Sequence, residues 1–266
     1  MTAPLRVAWL TTGRGPGSFG AFAYVLEEID QGLPVEIAVL FINRERGEAE
    51  PTEQLIRFAE EHGIPVETVS SVRFRKERGG ARSKPGEPLP RWRREYDEEV
   101  ARRLERYSFD LAVLFGYMLI ATPALFDRFK LINDHPALPD GPVGTYQEVI
   151  KELIRTGAEE SGCLMNVVTG DLDRGPVISC CRFPIRDSSN EAAWRERPER
   201  ADETSALFQD VRQRGISRER PFLAETLRAI AEGRLRVPPD GATLDLSAEV
   251  EARLDLGAEH EDRPRV

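Results

Sequence analysis

The sequence predicts an α/β protein in which helices cover both faces of a twisted, mostly parallel sheet. Three observations carry that prediction. Short apolar runs of strand length alternate with stretches of helical periodicity through the first half of the chain. The runs are apolar throughout rather than alternating, as in VEIAVLFI from Val35 to Ile42, which suits strands covered on two sides. A glycine-rich turn, Gly13 to Ser18, follows the first run and opens a helix, the order of a parallel crossover. The arrangement is Rossmann-like.

Each element follows in order. Leu5 to Thr11 reads as the first strand, Thr12 to Ser18 as a turn, and Phe19 to Ile29 as a helix with Glu27, Glu28 and Asp30 facing outward. After the second strand, Thr52 to His62 is a helix stopped by Gly63, and Ile64 to Val69 is a third strand. Residues 72–95 break the rhythm. Arg73, Arg75, Lys76, Arg78, Arg82, Lys84, Arg91, Arg93 and Arg94 stand there among Gly, Pro and Ser. That composition predicts a surface excursion, either a solvated loop or one that helps hold an anionic substrate.

Helix resumes over Tyr96 to Tyr107, and LAVLF from Leu111 to Phe115 is a core strand ended by Gly116. A short helix near Pro123 to Phe129 precedes a strand from Leu131 to Asn133, which runs into His135-Pro136. Gln147 to Arg155 is helical, and Cys163 to Thr169 and Val177 to Phe183 are strands flanking Gly175-Pro176. Residues 184–220 read as charged and irregular, Pro221 to Glu232 as a helix, and Ala-Thr-Leu-Asp-Leu after Asp240 as a weak strand. The expected organisation is one catalytic domain, residues 1–245, and an acidic, partly disordered tail, residues 246–266.

Composition narrows the function classes. Asp and Glu number 46 against 37 Lys and Arg, a net charge of −9 in 266 residues, which argues against a general nucleic-acid binder. No apolar run approaches the roughly 18 residues of a membrane span. One arginine before the short run Val7 to Thr11 does not make a signal peptide. Cys163, Cys180 and Cys181 form neither a disulfide framework nor a zinc-binding spacing. A cytoplasmic, metal-independent monomer or homodimer is expected, with no membrane or nucleic-acid partner.

Two places carry chemistry. Gly15-x-Gly17-x-x-Gly20, after a strand and into a helix, formally satisfies the dinucleotide fingerprint, but Asn43, Arg44 and Arg46 replace its acidic partner. Gly13, Arg14, Gly15, Gly17 and Ser18 therefore read as an anion cradle, a dinucleotide site or simply a tight turn. Asn133 and His135 lie at the end of an apolar strand, where open α/β sheets bind ligands, and at that spacing their side chains point the same way. His62 and His260 have no such setting. Asp173 sits in the turn Gly170 to Pro176, and a structural role for each of the three competes with a catalytic one.

These segments resemble the folate-dependent formyltransferase family. Asn133-Asp134-His135-Pro136-Ala137-Leu138-Pro139 resembles its Asn-x-His-Pro-(Ser/Ala)-Leu-…-Pro pattern, and Leu172-Asp173-Arg174-Gly175-Pro176-Val177-Ile178 its Leu-Asp-x-Gly-Pro-(Val/Ile)-Ile turn. Gly116-Tyr117-Met118-Leu119-Ile120-Ala121-Thr122-Pro123 resembles its Gly-(Phe/Tyr)-Met-x-Ile-Leu-x-Pro segment beside the pterin. The likeness covers about residues 4–245. It implies the formyltransferase fold, a catalytic set of Asn133, His135 and Asp173, and 10-formyltetrahydrofolate as co-substrate without a metal. Met118, Leu119, Ile120, Ala121 and Phe126 would wall the donor pocket, with backbone groups of Gly170 and Asp171 on the ring edge; plain core packing competes at Ile120 and Phe126.

The acceptor implied is a small, phosphorylated amine held at Gly13 to Ser18, most simply glycinamide ribonucleotide in purine synthesis. Relatives that formylate transfer RNA or hydrolyse the formyl-folate carry further domains, which this chain is not expected to supply. Departures lie on the acceptor side: a shortened Pro139 to Thr145 loop, Asn166 where a His is usual, and a longer phosphate turn. They leave open another acceptor, such as an amino sugar nucleotide, and a catalytically silent folate-binding relative. An NADP-dependent oxidoreductase would rest on Gly15, Gly17, Gly20, Arg44 and Arg46.

Overall fold

The computed structural model describes residues 3–83, 87–196 and 202–261. Contacts between its backbone segments divide it into two units: Met1–Asn133 with Val167–Gly175, and Asp134–Asn166 with Pro176–Val266.

In the first unit, strand β1 (Leu5–Thr11) pairs in parallel with β2 (Val35–Ile42) and with β4 (Leu111–Leu114). β2 pairs in parallel with β3 (Val66–Thr68), and β4 with the start of β5 (Leu131–His135). Seven of the eight β2 residues are buried, because helices cover both faces. Helix α1 (Pro16–Asp30) begins at a proline, whose fixed φ and missing N–H suit a first helical position. Helix α2 (Glu50–Glu61) buries Thr52, Leu55, Ile56 and Ala59, an i, i+3, i+4, i+7 stripe. Helices α3 (Ser71–Glu77), α4 (Arg91–Leu104) and α5 (Pro123–Phe126) complete the unit. Trp9, wholly buried, meets the edge of Phe22 with ring centroids 5.3 Å apart.

In the second unit, β6 (Glu160–Val167) and β7 (Val177–Pro184) are antiparallel, with Cys163 opposite Cys181, and β7 is parallel to the short β8 (Leu244–Asp245). Helix α6 (Tyr146–Thr156) starts with a reciprocal capping box between Thr145 and Glu148 and ends at Gly157, φ 69°. Helices α7 (Glu191–Arg195), α8 (Ala206–Ala231) and α9 (Ser247–Glu261) follow. Of the described pairings only β6–β7 is antiparallel. The expected class, a mixed and mostly parallel sheet with helices, is the one observed.

Three expectations are corrected. Residues 72–95 are not an irregular surface excursion: α3 and the first turn of α4 occupy much of the segment, and Arg93 is wholly buried. Lys84 lies outside the described residues. Helix α8 begins fifteen residues before Pro221 rather than at it, capped by the Ser205 hydroxyl, which accepts from Phe208 N–H. Its first half hides its periodicity because only Leu207, Phe208 and Val211 are buried there, while Arg214 pairs with Asp210 and Arg212 with Glu219. The segment after Leu246 is helical through Glu261 rather than a loose tail. It is held by the wholly buried Val250, and Glu251 accepts from Arg218 at 2.6 and 3.0 Å.

Candidate active site

Because β1, β4 and β5 run in parallel as neighbours, the turn after β1, the segment after β4 and Asn133 share the carboxyl edge of the first unit. The edge is tied together by backbone. Thr12 N–H donates to the Gly116 carbonyl at 3.0 Å, and Met118 N–H donates to Thr12 Oγ1 at 2.9 Å. A Cβ placed on Gly116 would come within 2.7 Å of Ser18 Oγ, so glycine is required for the two segments to approach.

Gly13 is left-handed at φ 60°; its carbonyl accepts from Thr52 Oγ1 at 3.0 Å. Gly15 caps α1, while Gly17 and Ser18 lie in the helix's first turn rather than in the loop, three residues earlier than the spacing predicts. The free N–H groups of that turn therefore face the strand edge, with Arg14 exposed beside them.

The segment 167–175 lies along β5, where Val168 N–H donates to the Leu131 carbonyl at 2.9 Å. Its turn brings Asp173 to Asn133, whose Nδ2 donates to Asp173 Oδ1 at 3.4 Å. Asp173, at φ 54°, is the one non-glycine in the left-handed region among the described residues, a conformation Asp tolerates better than most. Gly175 closes the turn against the Val167 carbonyl oxygen, which a Cβ would overlap.

Met118, Ile120 and Leu172 are exposed, with Met118 at 69%, and form the apolar part of this edge. Leu119 and Phe126 pack partly against the core, Ala121 is buried, and Gly170 approaches the Phe126 ring at 4.0 Å from a built Cβ. Asp171 is exposed, and its N–H donates to Thr169 Oγ1 at 3.3 Å. The two segments expected to flank a folate thus adjoin through Gly170 and Phe126.

His135, the last residue of β5, belongs to the second unit, where it is buried. The shortened loop after it turns back at Leu138–Gly141, and His135 Nε2 donates to the Pro142 carbonyl at 3.3 Å, so that nitrogen carries the proton. Asp134, facing the other way along the strand, is a site the sequence reading missed. Burial and the neighbouring Glu219 hold its carboxyl well above the usual range, opposed by Arg212. Asn166, where a His is usual, is buried.

The nicotinamide alternative loses its footing here. Gly17 and Gly20 lie inside α1, and the Arg46 guanidinium is taken by Glu53, at 2.8 Å, and Glu60. No group of three or more His, Cys, Asp or Glu residues arranged to hold a metal occurs among the described residues.

Comparison with known proteins decides the family. Residues 6–211 match the family described as Formyl transferase. The chain belongs to it. Within this family it is 28% identical to the phosphoribosylglycinamide formyltransferase of Escherichia coli over 58% of this chain and 64% of that one. It is 24% identical to the enzyme of that name from Mycobacterium tuberculosis H37Rv over 74% of this chain and 79% of that one. The match thus spans less than two thirds of the E. coli protein. Among solved structures, glycinamide ribonucleotide transformylase 1 from Symbiobacterium toebii shares the fold with a TM-score of 0.65 at 22% identity, covering 91% of this chain and 94% of that one. No described helix of this formyltransferase-family chain is long and apolar enough to cross a membrane.

Proposed function

We propose that the chain transfers a formyl group from 10-formyltetrahydrofolate to the amine of a small phosphorylated acceptor, with glycinamide ribonucleotide first among acceptors. The observation that carries this reading is the Asn133–Asp173 hydrogen bond at an edge that also holds an exposed apolar wall and a helix N-terminus. The names of the most similar curated relatives support the same acceptor.

The chemistry is acyl transfer. An amine attacks the formyl carbon, and negative charge grows on the formyl oxygen. Asn133 Nδ2 is a neutral donor held only by a long bond to Asp173, so it can turn to that oxygen as the charge develops. His135, two residues along the strand, presents Nε2–H to the oxygen or passes its proton to the departing folate nitrogen. Asp173 receives the amine's proton, directly or through a water. Met118, Leu119, Ile120, Ala121 and Phe126 wall the pterin; the amides of Gly170 and Asp171 meet its edge. The acceptor's phosphate lies on Gly13 to Ser18, where helix N–H groups and the Arg14 guanidinium favour an anion. The protein acts in the cytoplasm.

The test is consumption of 10-formyltetrahydrofolate with a panel of amines. Turnover with glycinamide ribonucleotide supports the full reading. Turnover with an amino sugar nucleotide alone corrects the acceptor and keeps the reaction. No turnover with any amine rejects the proposal.

A further inference from the structure

We propose that Arg93 and Asp97, a buried ion pair on α4, are positioning residues for the formyl donor, because they fix the backbone of the Met118–Ala121 wall. The inference rests on the formyl-transfer reading of that wall. Arg93 is 1% exposed and Asp97 0%. Arg93 Nη2 donates to the Ile120 carbonyl at 2.7 Å and to Asp97 Oδ1 at 3.3 Å. Asp97 Oδ2 accepts from Thr122 N–H at 2.7 Å. One side-chain pair, spaced i, i+4 on a helix, therefore grips the chain on either side of Ala121. All of these groups lie in the first unit.

The placement is costly unless it serves geometry. A buried ion pair is often matched in stability by an apolar pair of the same volume, since two charges must leave water. Here burial keeps the Asp97 carboxyl above its ordinary range despite the guanidinium beside it. Trp92 and Tyr96 flank the guanidinium, their ring centroids 5.1 and 5.4 Å from its central carbon. An apolar pair would pack between those rings, but it could hold neither Ile120 O nor Thr122 N–H. The segment they hold has no regular secondary structure from Gly116 to Thr122 and leaves Met118 and Ile120 exposed, so its shape depends on such anchors.

The experiment compares wild type, Asp97→Leu, Arg93→Met/Asp97→Leu and Arg93→Lys. Melting temperature reads folding, and calorimetry with a 5-deaza analogue of the formyl donor reads binding. Asp97→Leu leaves a buried charge without its partner and is expected to melt well below wild type. The double variant removes both charges and is expected to recover most of that loss, yet to bind the analogue about tenfold or more weakly. Its KM for the donor should rise while kcat stays within about threefold. Arg93→Lys keeps the charge but not the fork that spans two acceptors, and is expected to weaken binding in the same direction. Wild-type affinity in the double variant overturns the inference; if the double variant does not fold, wild-type affinity in Arg93→Lys overturns it instead. Failure of the wild-type protein to bind the analogue rejects the formyl-transfer reading, a result distinct from either.

Discussion

Asn133 and Asp173, forty residues apart in the chain, meet through a hydrogen bond from Nδ2 to Oδ1 of 3.4 Å. One residue ends a buried parallel strand; the other sits at a left-handed turn position. The contact is made by a strand edge and a turn, so it follows from the fold rather than from local sequence.

Removing the donor at this contact should cost turnover more than binding. Asn133→Ala is expected to lower kcat by about 10² to 10³, the usual loss for one oxyanion donor. Asp173→Asn should lose most activity with any true acceptor. Both should bind the folate analogue within a few-fold of wild type by calorimetry, because neither alters the apolar wall.

Gly175→Ala tests the turn itself. The added Cβ overlaps the Val167 carbonyl oxygen, and backbone cannot yield as a flexible side chain can. Destabilisation of about 1–3 kcal/mol in urea is expected, the usual range for overpacking, with loss of activity from displacement of Asp173. Wild-type stability would show that the turn has another conformation.

Ligand-induced stabilisation separates the two cofactor chemistries. The folate analogue should raise the melting temperature, and NADPH should not, because Arg46 is already engaged by Glu53 and Glu60. Stabilisation by NADPH alone would revive the oxidoreductase reading.

Acid stability carries a local signature. Glu191 is held down at about 2 from its usual 4.5, chiefly by hydrogen bonds from Arg186. A carboxylate with a depressed folded-state pKa contributes stability that is complete above its unfolded value and disappears as pH falls through the folded one. Glu191→Gln should therefore reduce the urea midpoint at pH 6 and bring it level with wild type near pH 2. A difference that persists undiminished at pH 2 would contradict the ion-pair origin.

The strands were legible because a covered parallel sheet writes unbroken apolar runs, as in Val35–Ile42. The candidate site was legible as motifs, but the reasons for its residues were not. Gly175 is fixed by a carbonyl eight residues earlier, and Gly116 by the Ser18 hydroxyl, contacts that only the folded chain creates. Arg93 reads as one more surface cation in a basic segment; the missed signal was Trp92, Tyr96 and Asp97 at helical spacing, which start α4 five residues before the expected Tyr96. Pro221 misled in the opposite sense, since proline usually marks a first turn and here stands inside a helix.

The central claim is tested most directly by following the acceptor rather than the folate. Purified protein is incubated with 10-formyltetrahydrofolate and glycinamide ribonucleotide, and the nucleotide is examined by mass spectrometry. The account predicts an N-formylated product that accumulates with wild type and falls by about 10² or more with Asn133→Ala. Formate released to water while the amine stays unmodified, or a product rate unaffected by Asn133→Ala, would contradict it.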